Sequence, residues 1–131
     1  MKKKVLFVCV ENSCRSQIAE GLAKKLGGEL IEAWSAGSKP SGKVNPTAID
    51  LMKERGVDLG AQKSKGLTDL PAAKWDYVFT MGCGDACPFV PAVAKADWAI
   101  PDPKHMPRAD FSAVIDQIQA KIEQLLREIK P

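Results

Sequence analysis

Apolar and polar positions change period several times along the chain, and the changes predict strands alternating with helices. Lys4-Val5-Leu6-Phe7-Val8 is a short run rich in β-branched and aromatic residues, the pattern of a strand buried on both faces of a parallel sheet. A helix is expected from Cys14 or Arg15, because Ile18, Leu22 and Leu26 then recur every four residues with Ala19 and Ala23 beside them, giving one apolar stripe. Glu29 to Ser35 reads as a second strand, closed by Gly37 and Pro40. Asn45-Pro46 is a cap followed by proline at the first helical position, opening a helix through Ala48, Leu51 and Met52 to Gly56. Trp75 to Met81 is a third strand and Ala96 to Ile100 a short fourth. Phe111, Val114, Ile115, Ile118, Ile122, Leu125, Leu126 and Ile129 then mark a long amphipathic C-terminal helix. Trp34, Trp75 and Trp98 lie in or beside these strands and are expected in the core.

Strands separated by helices imply right-handed crossovers and a parallel sheet covered on both faces. The expected fold is α/β, a three-layer flavodoxin-like sandwich with a four-stranded parallel sheet. At 131 residues the chain is read as one domain, 1–131, without repeats, linkers or low-complexity segments. Ligands of such sheets bind beyond the C-terminal strand ends, and the loop after the first strand lies there.

That loop, Cys9-Val10-Glu11-Asn12-Ser13-Cys14-Arg15-Ser16, carries chemistry. At a helix N-terminus, unpaired backbone N–H groups and the positive end of the helix dipole hold a tetrahedral oxyanion without a metal. Arg15 adds a bidentate fork for two of its oxygens. The same field favours the thiolate at Cys9, which aims a nucleophile at the bound anion. Ser16 can donate its hydroxyl to that sulfur and later help it leave, and Asn12 is suited to bracing a tight loop. Spacing alone is a weak signal, since a buried Cys ending a strand is common; the position between a strand and an amphipathic helix makes it strong.

A net charge of +3 with one basic run, Lys2-Lys3-Lys4, gives no stripe for nucleic acid. The apolar segment after those lysines is too short for a signal peptide or a membrane span, so a cytoplasmic protein is expected, with monomer as the default. In a reducing compartment the four cysteines point to catalysis, redox chemistry or metal binding before a structural framework. Cys83 and Cys87, after the third strand, leave three readings open. A disulfide needs a loop or a melted turn, which Gly82 and Gly84 would allow. A zinc site lacks partners, because His105 is the only histidine. Inert buried thiols are the third. Asp102-Pro103 is a turn signal in which Asp102 is also a candidate acid; His105 and Asp110 are read as solvated loop residues.

Over essentially its whole length, through Cys9 to Ser16, Cys83, Cys87, and Trp98 with Asp102-Pro103, the chain resembles arsenate reductases built on the low-molecular-weight protein tyrosine phosphatase fold. The resemblance implies a three-thiol relay. Cys9 attacks arsenate within the oxyanion loop of Val10, Glu11, Asn12, Ser13, Cys14 and Arg15. Cys83 then attacks Cys9 and Cys87 attacks Cys83, leaving a disulfide for thioredoxin to reduce. Asp102 resembles the family's general acid. No cofactor is implied, and phosphate or sulfate would compete with arsenate.

Departures from the family pattern carry their own expectations. Glu11 stands where many relatives have Gly, with its side chain expected in water. Cys14, which both the reductases and the phosphatases carry at this position, is expected to fill space or to form an off-pathway bridge with Cys9. Asn12, Glu20 and Ser35 resemble three ligands of a potassium ion found behind the loop in some thioredoxin-coupled relatives, while Lys65 replaces an acidic fourth; its ammonium is expected to stand in for the ion. The short gap between Cys83 and Cys87 also resembles reductases that use a low-molecular-weight thiol. The alternatives are a phosphatase acting through a cysteinyl-phosphate on Cys9, Arg15 and Asp102, and a non-catalytic oxyanion or redox sensor. Lys104 and His105 follow Asp102-Pro103 where phosphotyrosine-binding relatives place aromatics, which disfavours the phosphatase.

Overall fold

The computed structural model of the chain describes residues 2–71, 74–82 and 90–129. Among the described residues, strands β1 (Lys3–Cys9), β2 (Ile31–Gly37), β3 (Trp75–Thr80) and β4 (Ala92–Asp97) and helices α1 (Arg15–Gly27), α2 (Pro46–Glu54) and α3 (Arg108–Ile129) follow in the order β1-α1-β2-α2-β3-β4-α3. The strands form one sheet in the order β2-β1-β3-β4, and every neighbouring pair is parallel. This is the α/β, flavodoxin-like arrangement that the alternating periods predict. Among the described residues no helix is long and apolar enough to cross a membrane.

Register explains where chemistry can gather. Cys9 pairs with Gly37, Val8 with Thr80, and Thr80 with Asp97, so the C-terminal ends of all four strands lie at one edge of the sheet. Side chains alternate across a strand. Val5, Phe7 and Cys9 therefore join a core with Ile18, Leu22, Met52, Phe111, Ile115 and Ile118. Leu6 and Val8 face the other way, into a cluster with Ala36, Trp75 and Val78 that Leu67, Leu70 and Val90 pack against. Each large side chain fully removed from water in these clusters contributes roughly 1.5–3 kcal/mol. Trp98 closes one end of the larger core, its ring 4.4 Å from Phe79 and 5.6 Å from Phe7.

Five local expectations are corrected. The second strand starts at Ile31 rather than Glu29, because Gly28 leaves the helix at φ 48° and the Leu30 N–H bonds back to the Gly27 carbonyl. The fourth strand is Ala92–Asp97, not Ala96 to Ile100. It is an edge strand of mostly exposed residues, whereas Trp98 and Ile100 are buried from the loop that follows it. Leu26 falls off the stripe of α1 and is 37 % exposed, and Asp110 lies in the first turn of α3, not in a loop. Of the three tryptophans Trp75 and Trp98 are buried, while Trp34 is half-buried and donates its indole N–H to Glu32.

Gly37 sets the closeness of β2 to the loop after β1. A Cβ there would strike the Val10 carbonyl oxygen and lie 2.8 Å from the Asn12 nitrogen, both of them backbone atoms that cannot swing aside. Gly37→Ala is therefore expected to lower the unfolding free energy by about 1–3 kcal/mol, the usual cost of overpacking, in urea denaturation; no measurable loss would mean that the loop yields freely.

Candidate active site

The loop from Val10 to Ser13 is held by its carbonyls. The Val10 carbonyl accepts the Lys39 N–H at 2.8 Å, that of Glu11 accepts the Ser41 N–H at 3.0 Å, and that of Ser13 accepts the Asn45 N–H at 2.9 Å. Ser64 Oγ also donates to the Glu11 carbonyl, and Gln17 Nε2 to that of Asn12. In a trans peptide the carbonyl of one residue and the N–H of the next point in opposite directions. Carbonyls drawn outward therefore turn the N–H groups of Glu11, Asn12, Ser13 and Cys14 inward. Cys14 precedes α1 without a side-chain cap, which leaves the first turn's N–H groups for an anion.

Asn12 is the brace behind this nest. It is fully buried with a left-handed backbone at φ 49°, a conformation that Asn tolerates better than most residues. Its Nδ2 donates to Ser16 Oγ at 2.8 Å, and its Oδ1 accepts from Gln17 Nε2 and from the Lys65 N–H. Gln17, itself fully buried, ties on to the Lys63 carbonyl. Nothing in the apolar periodicity singles out Gln17, because two of its partners, Gln62 and Lys63, lie far along the chain.

In front of the nest is a cavity of about 250 Å³ lined by Cys9, Val10, Glu11, Ser13, Cys14, Arg15 and Asp102. Cys9 Sγ lies 2.8 Å from Ser16 Oγ. The Ser16 oxygen already accepts from Asn12, so its own hydrogen is free to point at the sulfur. Arg15 is buried, and its NH1 donates to the carbonyls of Met81 at 2.5 Å and Ile100 at 2.9 Å, which fixes the guanidinium plane. Its NH2 is 3.9 Å from Asp102 Oδ2. Asp102 is half exposed and its Oδ1 accepts the Lys104 N–H at 3.0 Å.

One detail departs from the sequence reading. Glu11 does not simply extend into water: both its carboxylate oxygens accept from Lys104 Nζ, at 3.1 and 3.0 Å. The Glu11 carboxylate holds the Lys104 ammonium above the ordinary lysine value, and the positive charge of Lys104 offsets the carboxylate beside the anion cavity. Burial pushes the Cys14 thiol up to about 12, with Asp102 and Cys9 adding to the rise. Cys9 and Cys14 are both free thiols.

Glu20 lies behind the loop and is buried. Ser35 Oγ donates to its Oε1, Lys65 Nζ approaches the same oxygen at 3.5 Å, and Lys24 Nζ sits 2.5 Å from Oε2. Lys24, which the sequence reading passed over, thus supplies a second ammonium. With an ammonium on each carboxylate oxygen and the Asn12 oxygen turned to N–H donors, these side chains do not fit a potassium ion. Among the described residues no group of three or more His, Cys, Asp or Glu side chains is arranged to hold a metal. His105 is exposed, and Cys83 and Cys87 lie outside the described residues.

Comparison with known proteins agrees with this geometry. Residues 4–131 match the family described as low molecular weight phosphotyrosine protein phosphatase. The glutaredoxin arsenate reductase of Synechocystis sp. is 40% identical over 130 residues, covering 97% of this chain and 98% of that protein. A solved arsenate reductase in the phosphate binding state superposes with a TM-score of 0.87 at 38% identity, over 98% of this chain and 99% of that one. The thioredoxin-dependent arsenate reductase of Corynebacterium glutamicum gives a TM-score of 0.81 at 36% identity, over 98% of this chain and 62% of that one. With its thiol, arginine and outward-tethered loop at the ends of a parallel sheet, the chain belongs to the low molecular weight phosphotyrosine protein phosphatase family and is similar to these three arsenate reductases.

Proposed function

We propose that the protein reduces arsenate to arsenite through a relay of Cys9, Cys83 and Cys87. The observation that carries this reading is the Cys9 sulfur in the wall of a cavity whose backbone N–H groups and Arg15 are set for a tetrahedral oxyanion. Cys9 thiolate attacks arsenic(V), Ser16 stabilises that sulfur, and Asp102 protonates the oxygen that leaves as water. Cys83 thiolate then attacks Cys9; the sulfur–arsenic bond breaks with its electron pair passing to arsenic, and arsenite departs. Cys87 displaces Cys9 from Cys83, and an external dithiol reduces the resulting Cys83–Cys87 disulfide.

The reductant is proposed to be thioredoxin, because a resolving thiol at Cys87 makes a small-thiol adduct unnecessary. The relatives include both a glutaredoxin and a thioredoxin-dependent form, which keeps a low-molecular-weight thiol system as the second reading. A cytoplasmic setting follows from the reduced thiols that this chemistry demands. Against the phosphatase alternative, the cavity mouth carries the Lys104–Glu11 ion pair in place of an aromatic sandwich for a phosphotyrosine ring.

Reduced protein mixed anaerobically with excess arsenate and no other reductant should lose two thiols for each arsenite released, with Cys83 and Cys87 bridged in peptide mapping. Absence of both arsenite and thiol loss would leave the phosphatase reading in its place.

Lys65 and Lys24 are proposed to supply the positive charge behind the loop. Exchanging sodium for potassium at constant ionic strength should then leave turnover within about twofold, since ammonium groups already satisfy the Glu20 oxygens; a severalfold rise with potassium would contradict this.

Cys14 is proposed to stay a protonated thiol through the working pH range. Its folded-state proton is held up to about pH 12, whereas an unfolded chain releases it near 8.5. The folded state thus binds more protons over that interval, and stability falls as pH rises through it. From pH 8 to pH 10 the wild type should lose roughly 1–2 kcal/mol more than Cys14→Ala in chemical denaturation; equal losses would refute the assignment.

A further inference from the structure

We propose that Asp97 is a positioning residue of the oxyanion site, acting through the two backbone carbonyls that hold Arg15. Asp97 ends β4 in register with Thr80 at the end of β3. Its Oδ1 accepts from the Thr80 hydroxyl at 2.6 Å and the Gly82 N–H at 2.7 Å, and its Oδ2 accepts from the Ala99 N–H at 3.1 Å. One carboxylate therefore ties the residues leaving β3 to those leaving β4.

The consequence for Arg15 follows from peptide geometry. The Gly82 N–H and the Met81 carbonyl belong to one planar trans peptide and point in opposite directions. Asp97 holds that plane from the N–H side, so the carbonyl is driven toward Arg15 NH1. On the other strand Asp97 holds Ala99 at φ 51°, a left-handed conformation that alanine rarely adopts, and the next residue, Ile100, presents the second carbonyl to the same nitrogen. The two segments touch: a Cβ on Gly82 would lie 3.2 Å from both Ala99 Cα and the Ile100 oxygen. Partial burial opposes the Asp97 charge, but the bonds from Thr80, Gly82 and Ala99, together with Arg15, hold its carboxyl below the usual carboxylate range. Asp97 has no place among the residues lining the cavity, so beyond its long-range charge its influence on a bound anion passes through Arg15.

Positioning and simple electrostatics make opposite forecasts. Removing a negative charge near an anion site should tighten anion binding by Coulomb's law; loosening the carbonyls that orient Arg15 should weaken it. The inference rests on Arg15 as an oxyanion ligand and not on the identity of the reaction, so inorganic phosphate is the probe. Calorimetric titration of the full reduced chain, below its unfolding transition, should show phosphate binding to Asp97→Ala about tenfold more weakly than to wild type, the cost of one misplaced charged hydrogen bond. Asp97→Asn keeps an acceptor for Thr80 and Gly82 and should fall between the two. Exposed Asp116→Asn should match wild type. Equal or tighter phosphate binding by Asp97→Ala overturns the proposal, and if that variant does not fold, equal or tighter binding by Asp97→Asn does so. A failure to reduce arsenate by the wild type would remove the reductase reading while leaving this result intact.

Discussion

Tethering of the loop carbonyls is the constraint on which the site depends. Four consecutive peptides at Val10 to Ser13 have their oxygens engaged from outside. Their donors come from the segments after β2, from the N-cap of α2, from Gln17 of α1 and from Ser64. Flipping any one of these peptides would break the bond to its carbonyl and turn an N–H away from the cavity, at a cost of about 1–3 kcal/mol for an unmade bond where the carbonyl is shielded from water. Charge need not be added to make an anion receptor of such a loop; fixing the direction of neutral dipoles suffices.

The wider fold serves that constraint. Parallel pairing in the order β2-β1-β3-β4 brings Gly37, Cys9, Thr80 and Asp97 to one edge, and the absence of a side chain on Gly37 lets β2 approach Val10 and Asn12 closely. Arg15 is then fixed from a different quarter, by carbonyls at the ends of β3 and β4. The thiol and the guanidinium thus have independent supports, one through the β2 side of the sheet and one through the β4 side.

What could be read from the sequence was local. The first strand, its loop and α1 are contiguous, so period and cap position located them closely. The fourth strand was misplaced because apolarity marked Trp98 and Ile100, which anchor a loop in the core, while the edge strand itself is built from Ala92, Val93, Ala94 and Ala96 with polar neighbours. The distant partners of Glu11 and Gln17 were hidden for another reason, whereas Lys24 stands four residues after Glu20, a pairing that helix spacing does offer. Lys104 and Glu11 are 93 residues apart, and no spacing rule connects side chains that meet only after the sheet has formed. Asp97 was passed over as a strand residue for the same reason, since its significance lies in two backbone turns on separate strands.

The raised Cys14 thiol has a consequence for oxidative damage. Peroxide acting on a reactive cysteine yields a sulfenic acid, which a neighbouring thiolate can resolve to a disulfide before irreversible over-oxidation. Cys14 adjoins the same cavity as Cys9, yet a thiol held protonated is a poor attacking group. A raised Cys14 pKa slows its attack on an oxidised Cys9, which shifts protection of the nucleophile toward thiols elsewhere and so toward the same reductive supply that sustains turnover.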